Sequence, residues 1–216
     1  MTQRMNIGDT VELYAVASAN VAKRVANGMI SGFHSLFTID ENTRANFYRN
    51  KGLAYAKKKA YAKALPLLAT LHQEDPEDPE ITLYLGMSYL KTGQIEDGVA
   101  LLEEAQVTHP DSVRIASVLG IAYTQLEQFD KAVSLLELAS ERNPENFNLK
   151  YKLGVAYDHL KQHDKAIECF KAALELRPNE SKLHRAIGFA YELQGNRETA
   201  VEHYKRANEL EETAAK

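Results

Sequence analysis

Apolar residues in this chain recur at two periods at once. The short period is helical: Tyr14, Ala17, Val21 and Val25 stand three or four apart, and Leu153, Ile167 and Phe170 lie on two successive segments with the same spacing. The long period is 34 residues. Gly52, Gly86, Gly120, Gly154 and Gly188 mark it, followed three places on by Tyr55, Tyr89, Tyr123, Tyr157 and Tyr191. Twelve places after each glycine comes a small residue, Ala64, Gly98, Ala132, Ala166 or Ala200, and Pro76, Pro110, Pro144 and Pro178 keep the same interval. Such self-similarity belongs to a unit of two helices and a turn that cannot bury its apolar face alone and stacks on its neighbours, so the chain is predicted to be all-α.

Each recurring type has a physical reason. A glycine inside a helix costs roughly 1 kcal/mol relative to alanine, so five at one register imply close approach of the two helices of a unit. The small residues from Ala64 to Ala200 serve the same approach, and Ala105, Ala139, Ala173 and Ala207 serve it against the next unit. The periodic prolines end each second helix, because proline disfavours helix in the residue before it and lacks an N–H. Pro66 falls inside a second helix and is predicted to delay or bend it. The run Glu74-Asp75-Pro76-Glu77-Asp78-Pro79-Glu80 reads as a stiff, solvated turn.

The pattern resembles the tetratricopeptide repeat family over five consecutive units, residues 45–78, 79–112, 113–146, 147–180 and 181–214. The resemblance implies a right-handed α-solenoid whose first helices line a concave groove. The ninth places of the units are Leu53, Met87, Ile121, Val155 and Phe189, an apolar floor. Around it stand Arg49, Lys57, Lys91, Arg114, Lys182 and Arg185 against Glu80, Asp158 and Glu192, which suits an amphipathic helix or a partly acidic peptide. The ninth-place residues also read as partial core. Leu53 and Tyr84 fill the two asparagine places that some relatives use to clamp a chaperone carboxylate, which sets that use aside.

Residues 1–44 form a degenerate sixth unit. Ser18 stands 34 places before Gly52, Asp9 or Thr10 can cap a first helix, and Ile30 occupies the place of the small residue. Met29, Ile30, Phe33, Leu36, Phe37 and Ile39 make the following segment unusually apolar. Two readings fit it: an N-terminal cap folded onto the array, or an element that docks elsewhere. At the other end, Glu202, Lys205, Arg206 and Glu209 give the last helix a charged face, with Glu202 and Arg206 as an i,i+4 pair.

Composition narrows the function. Of the 216 residues, 44% are hydrophobic and 26% charged, ordinary values for a helical protein. The formal net charge of -4 disfavours nucleic acid, which needs a basic face to displace counterions. Cys169 is the only cysteine, so no disulfide framework or cysteine zinc pattern exists, and a small core role fits it. No apolar run approaches the ~20 residues of a spanning helix, and Ala15 to Ala22 is too weakly apolar for a signal peptide. Catalytic loops and phosphate-binding motifs are absent from the sequence, so neither an enzyme nor a cofactor is expected. His159 and His163, beside Asp158 and Asp164, are the one metal-like constellation, but a hairpin turn is predicted between them, which favours packing roles. His34, His72, His109, His184 and His203 are scattered across units without forming a cluster.

Finer details carry a closer resemblance. Leu13-Tyr14, Val21-Ala22-Lys23, Phe47-Tyr48-Arg49-Asn50-Lys51-Gly52, Phe147-Asn148, Leu174-Glu175-Leu176-Arg177-Pro178-Asn179-Glu180, His184-Arg185-Ala186-Ile187 and Lys205-Arg206-Ala207-Asn208-Glu209-Leu210 are similar to the magnetosome-associated tetratricopeptide repeat proteins of magnetotactic bacteria. This likeness implies a hook of two subdomains, residues 45–112 and 113–216, hinged around Pro110 to Val113, with residues 1–44 as the self-assembly element. It also implies a cytoplasmic homo-oligomeric scaffold that reaches the magnetosome membrane through protein partners and gathers other magnetosome proteins, residues of the degenerate unit docking in another copy's groove. The competing reading is a monomeric adaptor that holds one client peptide in the groove.

Overall fold

The computed structural model describes residues 7–26 and 41–214, and among these it contains eleven α-helices and no strand. Helix α1 (Ile7–Ala26) precedes five helical hairpins: α2 (Glu41–Lys57) with α3 (Tyr61–Glu74), α4 (Pro79–Lys91) with α5 (Ile95–Thr108), α6 (Val113–Gln125) with α7 (Phe129–Arg142), α8 (Phe147–His159) with α9 (His163–Leu176), and α10 (Ser181–Leu193) with α11 (Arg197–Ala214). The chain divides into two compact units, residues 1–105 and 106–216. In the first, Leu53, Leu68, Ile81 and Leu85 belong to one buried cluster. In the second, Leu119, Leu136, Leu149, Phe170, Leu183 and Ile187 are almost fully buried.

The prolines act as the sequence implies. Helices α3, α5, α7 and α9 each stop two residues before one, and the intervening Asp75, Asn143 and Arg177 adopt φ between -140° and -129° with positive ψ, outside the helical region. Two residues beyond the proline sits the next N-cap. Asp78 accepts the amide N–H groups of Glu80 and Ile81 at 2.9 and 3.1 Å, and Asn146 does the same for Asn148 and Leu149 at 3.1 and 3.3 Å. Pro66 does not delay its helix: α3 starts at Tyr61, at the same register as α7 and α9, with the proline inside it. Thr70 Oγ1 donates to the Pro66 carbonyl at 3.0 Å, so that carbonyl is satisfied locally.

Within every hairpin the turn places one residue in the left-handed region seven positions after the repeat glycine: Lys59, Gly93, Glu127, Lys161 and Gly195, with φ from 58° to 88°. At Gly93 open space surrounds the position where a Cβ would stand, so Gly93→Ala adds only the backbone penalty of a non-glycine in that region. Urea unfolding should register the loss as about 1 kcal/mol.

The repeat glycines receive a large side chain from sixteen residues on. A Cβ on Gly154 would lie 2.5 Å from Phe170 Cε1, one on Gly86 2.6 Å from Leu102 Cγ, and one on Gly188 2.9 Å from the Tyr204 ring. Gly98, at the small-residue place, also approaches backbone: a Cβ there would lie 2.9 Å from Leu90 Cγ and 3.0 Å from the Gly86 carbonyl oxygen. The close approach therefore has two parts, a knob into the glycine and a small residue against the glycine's own main chain. Ala105, Ala139, Ala173 and Ala207 are buried as their role requires.

At the N-terminal end, α1 begins at Ile7, so Asp9 and Thr10 lie in its first turn. Leu13 is its buried anchor, while Val11, Tyr14 and Val16 are exposed, so Tyr14 is not the core residue its spacing suggests. Glu12 of α1 pairs with Lys51 of α2, whose Nζ also lies 5.1 Å from the Phe47 ring centre. Met29, Ile30, Phe33, Leu36, Phe37 and Ile39 lie outside the described residues. On α11, Arg206 is bonded to Glu209 at 3.1 Å, three residues on.

Candidate interaction groove

The groove positions fall on the first helix of every hairpin, separately in each compact unit. In the first unit Arg49, Leu53 and Lys57 are spaced by four along α2, and Glu80, Tyr84, Met87 and Lys91 occupy α4. Arg49 bonds the Asp78 carboxylate and lies 3.4 Å from Glu80, and Lys57 reaches Glu80 at 3.2 Å with its ammonium 5.7 Å from the Tyr84 ring centre. These cations tie α2 to the start of α4. Leu53 is buried among Ile81 and Leu85 and acts as core, while Met87 is half-buried.

In the second unit the floor opens towards its last hairpin. Ile121 and Val155 are half-buried, but Phe189 is 49% exposed and Leu193, one turn on, is 51% exposed. Leu193 stands where other units carry Lys57, Lys91, Gln125 and His159. Lys182 lies 3.6 Å from Glu180 and 5.3 Å from the Tyr151 ring centre, and Arg185 grips Glu211 through two nitrogens at 3.0 and 2.6 Å. Hydrogen bonding to Arg185 holds the Glu211 carboxyl below its ordinary range. Arg114 and Lys91 are exposed. The excess of positive residues is thus largely matched by acids of the same chain, and such exposed pairs, typically worth about 0–1 kcal/mol, exchange readily with a ligand's carboxylates.

The histidines resolve differently. His159 stacks on Phe129 with ring centres 4.1 Å apart, and His163 bonds Asp158 at 2.8 Å across the turn that separates the two histidines. Among the described residues no three of His, Cys, Asp and Glu converge to hold a metal. His184 and His203, however, are not scattered: their Nδ1 atoms lie 3.2 Å apart. Their meeting follows from the antiparallel register that sets Gly188 against Tyr204 and so brings the preceding turn of α10 towards His203 and Ala207. Burial, with Arg206 near His184 and His184 near His203, pushes both rings below the ordinary histidine range. Cys169 is half-buried, and burial drives its thiol up to about 11, which disfavours the thiolate form at neutral pH.

Comparison with known proteins agrees with this architecture. Tetratricopeptide repeat models match residues 55–121, 113–146, 148–180 and 185–213. A solved structure titled MamA MSR-1 superposes with a TM-score of 0.76 at 46% identity, covering 79% of this chain and 98% of that one. The chain belongs to the MamA-like tetratricopeptide repeat proteins. A more distant MamA-like structure, from Desulfovibrio magneticus RS-1, shares 26% identity with a TM-score of 0.72 and covers 82% of this chain and 98% of its own. Among curated sequences, the magnetosome protein MamA of Magnetospirillum gryphiswaldense is 43% identical over 81 residues, 38% of this chain. That aligned segment spans 37% of the relative's length. Among the described residues no helix is long and apolar enough to cross a bilayer.

Proposed function

We propose that the chain is a non-enzymatic interaction scaffold that assembles with copies of itself at the magnetosome membrane and gathers other magnetosome proteins there. The observation that carries this reading is the match over 98% of the MamA MSR-1 structure at 46% identity, joined to repeats whose physics provides a surface and no chemistry. Attachment is peripheral and through protein partners, on the cytoplasmic side. The apolar segment Met29, Ile30, Phe33, Leu36 and Phe37 is the docking element. Its receptor is the first-helix face of the second unit, with Ile121, Val155 and Phe189 as floor and Arg114, Lys182 and Arg185 as exchangeable charges; the first unit carries the corresponding face by itself, Met87 over Leu53 with Arg49, Lys57 and Lys91. Exposure of Phe189 supports this reading, since an aromatic half in water on a helix face gains by covering. The separation at residues 105 and 106 supports a subdomain boundary close to Pro110 to Val113.

Light scattering after size exclusion tests the docking element. Phe33→Asp and Phe37→Asp should lower the mass per particle while far-UV helicity stays unchanged. If neither substitution alters particle mass, the segment is only a cap and the chain acts as an adaptor for a client peptide.

A further inference from the structure

His184 on α10 and His203 on α11 face each other through Nδ1 atoms 3.2 Å apart, their ring centres separated by 5.3 Å and their planes inclined by 37°. Two nitrogen ligands about 2.0–2.1 Å from one metal ion lie roughly 3.3 Å apart at a tetrahedral angle and about 2.9 Å apart at a right angle. The observed separation falls between these two edges. We propose that His184 and His203 form a two-histidine site for a borderline divalent transition cation such as Cu²⁺, Ni²⁺ or Zn²⁺, with water in the remaining positions.

The two rings meet Nδ1 to Nδ1, so with both imidazoles neutral one ring carries its proton on Nδ1 and donates it, and the other carries its proton on Nε2 and accepts. The accepting ring already offers its Nδ1 lone pair. Metal entry requires the donating ring to carry its proton on Nε2 instead, a tautomer change with no net loss of protons.

The surroundings set the class of ion. Lys171 from α9 and Arg206 from α11 oppose added positive charge, Glu202 partly offsets them, and Arg206 is itself held by Glu209. Tyr191 packs its ring 5.9 Å from His203 and accepts from Lys171 at 2.9 Å, which keeps the ammonium engaged beside the pair. No carboxylate ligates, so hard ions such as Mg²⁺ and Ca²⁺ are excluded, and imidazole preference places Cu²⁺ above Ni²⁺ and Zn²⁺. Two protein ligands make a site that loads reversibly.

Calorimetric titration of the untagged full chain with Cu²⁺ and with Ni²⁺ at about pH 7.5, where both imidazoles are neutral, tests the proposal. One ion per chain is expected, with affinity at least about tenfold weaker in His184→Ala and in His203→Ala and unchanged in His159→Ala. Far-UV dichroism checks that the variants fold, and His203→Gln retains a hydrogen-bonding side chain if alanine loosens α11. Electron paramagnetic resonance of the Cu²⁺ form should show two coupled nitrogens, one of them lost in either variant. Absence of binding, titrations unchanged in both alanine variants, or loss in His159→Ala overturns the assignment.

Discussion

Phe170→Ala will cost about 3–5 kcal/mol, the largest single-residue loss expected among the described residues. The side chain is 2% exposed and fills the space that Gly154 leaves open between α8 and α9. Truncation leaves a cavity that neither helix can close, because the hairpin is fixed by its turn and by the next unit. The partner experiment is Gly154→Ala. Its Cβ would meet Phe170 Cε1 at 2.5 Å, a rigid ring that must shift, so overpacking of about 1–3 kcal/mol outweighs the gain of roughly 1 kcal/mol in helix propensity. Gly52→Ala supplies the contrast, since its Cβ would meet the flexible end of Leu68 at 3.1 Å and the propensity gain can prevail. Denaturant unfolding with amide exchange should rank stability as Phe170→Ala lowest, then Gly154→Ala, then Gly52→Ala. Because repeat units couple mainly to their neighbours, lost protection should centre on α8 and α9. A Gly154→Ala variant as stable as the parent would contradict the knob-into-glycine account.

The second large effect is expected at Asp78. This carboxylate caps α4 through two amide N–H groups and pairs with Arg49 of α2, so Asp78→Ala removes a cap and unties two neighbouring first helices. A loss of about 1–2 kcal/mol is expected, most of it from the cap because the ion pair is solvent-screened. Asn in its place should keep the cap and lose only the charge. The stabilisation should also depend on pH. Burial tends to raise the Asp78 carboxyl, but the Ile81 amide and the Arg49 guanidinium prevail and hold it below the ordinary carboxylate range. A depressed folded value means the unfolded state binds the proton first as pH falls. The contribution is therefore whole above the ordinary aspartate range near 3.8 and disappears as pH falls through the lowered folded value. Acid unfolding of parent and Asp78→Ala should converge at low pH and separate above it.

Much of the fold was legible because the repeat marks backbone requirements. Proline dictates where a second helix ends, glycine where a knob enters, and both recur at an interval that needs no tertiary information. What the spacing left unread depends on relations between helices. Tyr14 obeys helical periodicity, yet α1 buries Leu13 instead, since the rotation of a terminal helix is set by what it leans on. Of the two effects expected of Pro66, delay or bending, delay does not occur, because the start of α3 is fixed by the hairpin turn preceding it. That the proposed groove residues fall on first helices was readable from register, whereas their ion-pair partners were not: Arg49 finds Asp78 only once α2 and α4 lie side by side. His184 and His203, nineteen residues apart, meet only through the antiparallel register of α10 and α11.

The central claim is that one copy's apolar N-terminal segment seats on another copy's first-helix face, a head-to-tail contact that propagates. Light scattering on a mixture of two assembly-defective chains tests it most directly, one carrying Phe33→Asp and the other Phe189→Asp. Each variant alone should run near its chain mass of 24.2 kDa, and mixed they should form a particle of twice that mass and no larger, because only one complementary pair of faces survives. A mixture that stays monomeric, or single variants that still assemble like the parent, would contradict the claim.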